Sequence, residues 1–274
     1  MVGKYIGQEV AVKWAKVGGR ENLEAEVLAA QLLESHPNIA RILDVFFEYP
    51  GAPGQPCVVG TVMPLYTGHT LPGQSHGGPV CMRKILEQME GVCRAVEHLH
   101  AAGVVHNDLK EGNILLDGSG NAVVCDMGLA KCVGCVDGVG GTPPYLAPEL
   151  LHAGLNNEQI VTACASDIWS LGVLIFALMC NDPISVMYTR EMLQTRKEML
   201  RWSLNVCDHY YHLRSLYEVG EVRFLPGEHE VGHMLLGIAQ DCLSEAAGKR
   251  PTAKQVRERV QGVLREYERQ QPVQ

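Results

Sequence analysis

Hydrophobic positions change their period about a quarter of the way along the chain. In the first part they come mainly in short β-branched and aromatic runs. "GKYIGQEVAVKWAK" reads as strand, turn and strand, with the turn at Gly7. "RENLEAEVLAAQLLES" is rich in Ala, Leu and Glu and predicts a helix. "HPNIARILDVFFEY" and "PCVVGTVMPLY" predict two more strands, parted by the turn cluster "PGAPGQ". A small β-rich unit of residues 1–66 is therefore expected, ending near Tyr66, with "TGHTLPGQSHGG" as the connecting segment.

Residues 67–270 read as a larger, mainly helical unit. Ile85, Met89, Val92, Val96 and Leu99 recur at spacings of three and four, which predicts an amphipathic helix ending at Gly103. Short strands follow at Ile114–Leu116 and Ala122–Cys125, joined by the turn "DGSGN". "SDIWSLGVLIFALMC" is apolar almost all round, so its helix belongs inside a core. The tail predicts two helices separated by Pro251. The fold class is α+β, with two lobes.

Composition narrows the function classes. Of the 274 residues, 46% are hydrophobic and 20% charged, as in ordinary globular proteins. No apolar stretch reaches the roughly 18 residues of a membrane span, and the N-terminus shows no signal-peptide pattern. A cytoplasmic location is expected, with the nucleus also compatible. A formal charge of −8 argues against a nucleic-acid backbone as main partner. The 10 cysteines are scattered and read as reduced thiols. Cys132 and Cys135 have CxxC spacing but lack two further ligands nearby for zinc, so they read as unlinked loop thiols, with a redox or metal role as the alternative.

Two motifs remain. "VVHNDLKEGNILL" sets Asp108 five positions before Asn113, and "VVCDMGLA" ends another apolar run on Asp126. Alone, such residues are turn formers at strand ends. Likewise Lys13 alone is a strand-edge charge and Glu26 an exposed helix residue. Together with their neighbours they resemble the eukaryotic protein-kinase family. "HNDLKEGN" and "DMG" are similar to that family's HRDLKxxN and DFG. "VAVK" at 10–13, "GTPPYLAPE" at 141–149, "DIWSLG" at 167–172 and "KRPT" at 249–252 are similar to four further family motifs, in the family's order.

The resemblance implies a protein-kinase-like fold and transfer of the γ-phosphate of ATP to Ser or Thr of a protein substrate, with Mg2+. It makes Asp108 the residue that accepts the substrate hydroxyl proton and Lys110 a contact to the γ-phosphate; Lys110 also favours Ser/Thr over Tyr. Asn113 and Asp126 become magnesium ligands, in keeping with hard oxygen donors for a hard cation. Lys13 would contact the α- and β-phosphates, steadied by Glu26, or by Glu24 if the helix register slips. Thr142 would hydrogen-bond Asp108 and Lys110. His106 reads as a structural hydrogen-bonding residue. The adenine pocket falls to Ala11, Met63, Pro64, Tyr66 and Leu115; Pro64 keeps the backbone C=O that its position offers.

Three departures stand out. Asn107 replaces an arginine that in the family commonly pairs with a phosphate on the activation segment, and residues 129–141 contain no Ser, Thr or Tyr. Met127 replaces the Phe of DFG. Only 12 residues precede Lys13, so the family's first strand and glycine-rich loop have no sequence to occupy. A pseudokinase scaffold and a small-molecule phosphotransferase are the competing readings.

Overall fold

The computed structural model describes residues 2–15, 20–48, 57–66, 81–180, 197–201, 203–204 and 228–271. The first part holds a four-stranded antiparallel sheet of β1 (Val2–Tyr5), β2 (Gln8–Trp14), β3 (Asp44–Glu48) and β4 (Cys57–Pro64), in the order β1-β2-β4-β3. Tyr5 faces Gln8 across a two-residue turn in which Ile6 and Gly7 have φ of 48° and 78°. Two positive φ values match the right-handed twist of a hairpin, and glycine takes the second without strain. Helix α1 (Arg20–Leu32) packs on β4.

One expected strand is mostly something else. Of "HPNIARILDVFFEY" only Asp44–Glu48 joins the sheet, with a bulge between Phe46 and Phe47. The residues before it hook onto the second lobe. Val124 N–H donates to Asn38 C=O (2.8 Å), Ala40 N–H donates to Val124 C=O (2.8 Å), and Asn38 Nδ2 donates to Ala122 C=O (2.7 Å). Their backbone groups are thus satisfied across the lobes rather than within the sheet. The turn cluster at 50–55 and the connecting segment at 67–78 lie outside the described residues.

The larger part is built on α2 (Met82–Ala101), α3 (Pro148–Asn156), α4 (Cys164–Cys180), α5 (His229–Cys242) and α6 (Ala253–Gln270). The apolar stripe of α2, including Ile85, Met89, Val92, Val96 and Leu99, is fully buried. Its main neighbour is α6. Complete burial of such a side chain stabilises by about 1.5–3 kcal/mol. In α4 every residue from Ser166 to Met179 is buried, as its all-round apolarity predicts. Gly172 lets α5 approach: a Cβ there would stand 2.8 Å from Cys242 Cβ and 2.8 Å from Leu243 Cγ. Pro251 separates the last two helices, and Thr252 caps α6 in a reciprocal box with Gln255.

Between these helices run short paired segments around the HNDLKEGN and DMG motifs: β5 (Val104–Val105), β6 (Ile114–Leu116), β7 (Ala122–Val124), β8 (Lys131–Cys132), β9 (Val136–Asp137) and β10 (Ile160–Val161). They pair as β6-β7, β5-β8 and β9-β10.

Candidate active site

The hairpin β6-β7 explains why two strand-like runs end on an amide and a carboxylate. Ile114 pairs with Val124, and Cys125 N–H donates to Asn113 C=O at 2.8 Å. Asn113, just before β6, and Asp126, just after β7, therefore stand at the same open end of one hairpin. Asp126 has φ of 62°, a left-handed conformation that short polar side chains tolerate. Gly128 then passes close to α1, where a Cβ would come within 3.1 Å of Asn22 Cβ.

The second lobe's Asp126 meets the first lobe at Lys13. The Lys13 ammonium lies 2.6 Å from Glu26 Oε2 and 2.7 Å from Asp126 Oδ1. Glu26 is buried on the inner face of α1 while Glu24 is exposed, so the helix register selects Glu26. Burial works against the Lys13 charge, but the Glu26 and Asp126 carboxylates outweigh it and hold its pKa above the ordinary lysine value. Burial pushes Glu26 up more than Lys13 draws it down. Asp126 goes the other way: burial opposes its charge, yet the bonded Lys13 wins and its pKa falls below the usual carboxylate value. The Asp126 side chain is 47% exposed, against 7% for Glu26, which accounts for the contrast between the two carboxylates.

A second cluster surrounds Asp108. Thr142 Oγ1 donates to Asp108 Oδ1 (2.7 Å), Lys110 Nζ donates to Asp108 Oδ2 (2.7 Å), and Asn113 Nδ2 donates to Asp108 Oδ2 (3.1 Å). Lys110 also donates to Thr142 Oγ1 at 2.7 Å. The three donors fix the direction of both carboxylate oxygens. His106 is wholly buried beneath them: Asp108 N–H donates to its Nδ1 (3.2 Å), which leaves Nε2–H to donate to Cys125 C=O (3.1 Å).

Behind this loop stands Asp167, the first residue of DIWSLG, whose role does not show in its own motif. It accepts from His106 N–H (2.8 Å), Asn107 N–H (3.0 Å) and His100 Nε2 (2.9 Å), and is 1% exposed. Burial opposes its charge, but these donors prevail and its pKa is lowered. Asn107 has φ of 63°, where asparagine is better tolerated than most residues. Its Nδ2 donates to Leu129 C=O at 3.1 Å, so the residue in the arginine position clasps the start of the following segment directly. Gly141 (φ +91°) closes over it, since a Cβ there would lie 2.6 Å from Asn107 C=O.

A further pair was legible only as two separate motifs. Arg250 reaches Glu149 with two parallel bonds of 2.7 and 2.8 Å, donates to the carbonyls of Ser244, Ala165 and Glu245, and lies over the Trp169 ring at 5.1 Å. The residues expected to line an adenine pocket are more dispersed. Ala11 pairs with Met63 and Val10 with Pro64 across β2 and β4, Tyr66 follows β4, and Leu115 faces Val123 in the other hairpin. All five are half-buried. Burial pushes the Cys125 thiol, next to Asp126, up to about 12, which keeps it protonated.

Two polar clusters thus lie on a two-lobed scaffold, one bridging the lobes and one on a loop held from below. The chain belongs to the protein kinase family: the model of the protein kinase domain matches residues 1–260. It is 32% identical over 168 residues to CBL-interacting serine/threonine-protein kinase 26 of Arabidopsis thaliana, covering 59% of this chain and 35% of that protein. It is 34% identical over 171 residues to the hormonally up-regulated neu tumor-associated kinase homolog of Xenopus tropicalis, covering 58% and 22%. The human hormonally up-regulated neu tumor-associated kinase is 34% identical over 172 residues, covering 58% and 21%. The matched regions make up about a third or less of these relatives.

Proposed function

We propose that this chain is an ATP-dependent protein serine/threonine kinase, with residues 1–66 as its nucleotide-covering lobe and 67–270 as its substrate-binding lobe. The observation that carries the reading is the Lys13–Glu26–Asp126 bridge beside the Asp108–Lys110–Thr142 network. Both clusters are complete, which favours the enzyme over a pseudokinase. The Arabidopsis relative is a serine/threonine-protein kinase by name, which speaks for a protein rather than a small-molecule substrate.

ATP and Mg2+ are implied by the family, and the donor set fits them. Asp126 gives one oxygen to Lys13 and remains half exposed, while Asn113 spends its amide N–H groups on Asp108 and keeps its carbonyl oxygen for a hard cation. When bound, the ion neutralises phosphate charge as the phosphoryl group transfers. Lys13 neutralises charge on the α- and β-phosphates and is kept protonated by its two carboxylates. Asp108 receives the hydroxyl proton of the substrate at a carboxylate oxygen aimed by Thr142 and Lys110. Lys110 offers its remaining donor to the γ-phosphate. Ala11, Met63, Pro64, Tyr66 and Leu115 supply the apolar walls and backbone groups for adenine.

Among the described residues no helix is long and apolar enough to cross a membrane. The test is transfer of labelled γ-phosphate to a generic basic protein with and without magnesium. Magnesium-dependent phosphoserine and phosphothreonine are expected; label on small alcohols or aminoglycosides alone would assign the chain to small-molecule chemistry.

A further inference from the structure

The segment from Asp126 to Glu149 contains a pair of side chains that phosphoryl transfer does not use. Cys132 and Cys135 are the first and last residues of a turn closed by Cys135 N–H donating to Cys132 C=O at 3.2 Å. Gly134, third in the turn, has φ of 87°, the type II pattern that calls for glycine. A β-turn brings its first and fourth Cα atoms within about 7 Å, and disulfides span Cα separations of about 4.4–6.8 Å. The closed turn therefore brings the two Cα atoms into or close to the range a disulfide spans. Both are exposed, whereas Cys93, Cys125 and Cys242 are buried and Cys81 and Cys164 half-buried. Among the described residues no group of three or more His, Cys, Asp and Glu could hold a metal, so a metal knuckle gains no support there.

We propose that Cys132 and Cys135 are a reversible disulfide site that takes a peroxide as oxidant and locks the turn of this segment in the arrangement seen here. One sulfur attacks a peroxide oxygen: an S–O bond forms, the O–O bond breaks, and water leaves. The second sulfur attacks the resulting sulfenic acid: the S–S bond forms, the S–O bond breaks, and a second water leaves. Two thiols are oxidised by two electrons in total, and one hydrogen peroxide is reduced to two waters. Thiol–disulfide exchange with an external dithiol restores the pair.

The position of the turn gives the bond its consequence. Cys132 pairs with Val104, and Val133 N–H donates to Gly103 C=O (2.8 Å), directly before His106–Asp108. On the other side Gly134 N–H donates to Thr162 C=O (2.9 Å) and Thr162 N–H to Cys135 C=O (2.8 Å), just before the helix that carries Asp167. Apart from these bonds the turn is braced by the Lys131–Asp137 ion pair, which is partly exposed and contributes little. Within residues 129–141 there is no hydroxyl side chain, and the oxidisable side chains are these two thiols. A covalent closure therefore supplies order that a phosphate on this stretch cannot.

The test reads sulfur chemistry and backbone exchange, not phosphoryl transfer, so it stands apart from the proposed activity. The whole chain is treated with hydrogen peroxide, alkylated, and cleaved before aspartates, which releases residues 126–136 with these two cysteines and no others. The expected peptide is lighter by two hydrogens and takes no alkyl group until it is reduced. Native-state exchange of the Val133 and Gly134 amides should slow roughly tenfold in the oxidised protein, and neither effect should occur in Cys132→Ser or Cys135→Ser. The proposal is overturned by any of three results: two alkylatable thiols surviving peroxide, a disulfide from either cysteine to a different cysteine, or an oxidised turn that exchanges as fast as the reduced one.

Discussion

Replacing Asp167 by asparagine tests whether the catalytic loop is held from below by one buried charge. The carboxylate accepts three bonds, from His106 N–H, Asn107 N–H and His100 Nε2, and is 1% exposed. Asparagine keeps one oxygen and turns an NH2 donor toward groups that also donate. At least one backbone N–H is then left buried without an acceptor. Hydrogen bonds to a charged group contribute about 1.5–3 kcal/mol each, and breaking a buried charged arrangement costs about 3–5 kcal/mol. Melting temperature falls by about 2–4 °C per kcal/mol in a domain near this size, so Asp167→Asn should melt roughly 6–20 °C lower by scanning calorimetry. The loop it releases carries Asp108, and a displacement of about 1 Å at a reacting group costs about a hundredfold in rate. Turnover of Asp167→Asn, measured well below its own melting point, should therefore drop by roughly that factor. A variant that melts within about 2 °C of the parent and keeps its turnover would refute the reasoning.

The same residue gives a pH signature. Its folded pKa is depressed, so its stabilisation is complete above the ordinary Asp value of about 3.9 and is lost as pH falls through the lower folded value. The gap in melting temperature between parent and Asp167→Asn should hold from about pH 8 to 5 and shrink below about pH 4; a gap that widens with acid would contradict this. Arg250→Ala removes a side chain that is fully buried and leaves Glu149 and the carbonyls of Ser244, Ala165 and Glu245 without their donor, so it should cost about 3–5 kcal/mol in denaturant unfolding. Phosphatase treatment should leave turnover unchanged, because Asn107 clasps Leu129 C=O directly and residues 129–141 offer no hydroxyl; a large loss traced to a phosphate there would show otherwise.

How much was legible in the sequence depended on whether the information was local. The β1–β2 hairpin, the buried run of α4 and the break at Pro251 follow from turn chemistry, all-round apolarity and a missing N–H, and each is found where its residues predict. The segment at 36–43 was misread as strand because an extended apolar run looks the same whether its partner is a neighbouring strand or, as with Asn38 and Ala40, the hairpin of the other lobe. Within the site, Lys13, Asp108, Asn113 and Asp126 could be found because their motifs are contiguous. The choice of Glu26 over Glu24 needed the helix register, which decides the buried face. Asp167 and the Arg250–Glu149 pair were invisible as partners because their contacts join positions 60 to 101 residues apart.

The central claim, that Asp126 and Asn113, at the same end of one hairpin, serve phosphoryl transfer, meets its most direct test in Asp126→Ala. Asp126 is half exposed and loses its bonds to Lys13, which keeps Glu26, and to the Gly128 N–H, and alanine takes the left-handed φ of 62° at a cost of about 1–2 kcal/mol, so the fold should survive with a melting curve lower by only several degrees. Transfer of labelled γ-phosphate from magnesium ATP to a basic protein should fall to background. A folded Asp126→Ala protein that phosphorylates at the parent's rate would contradict the account.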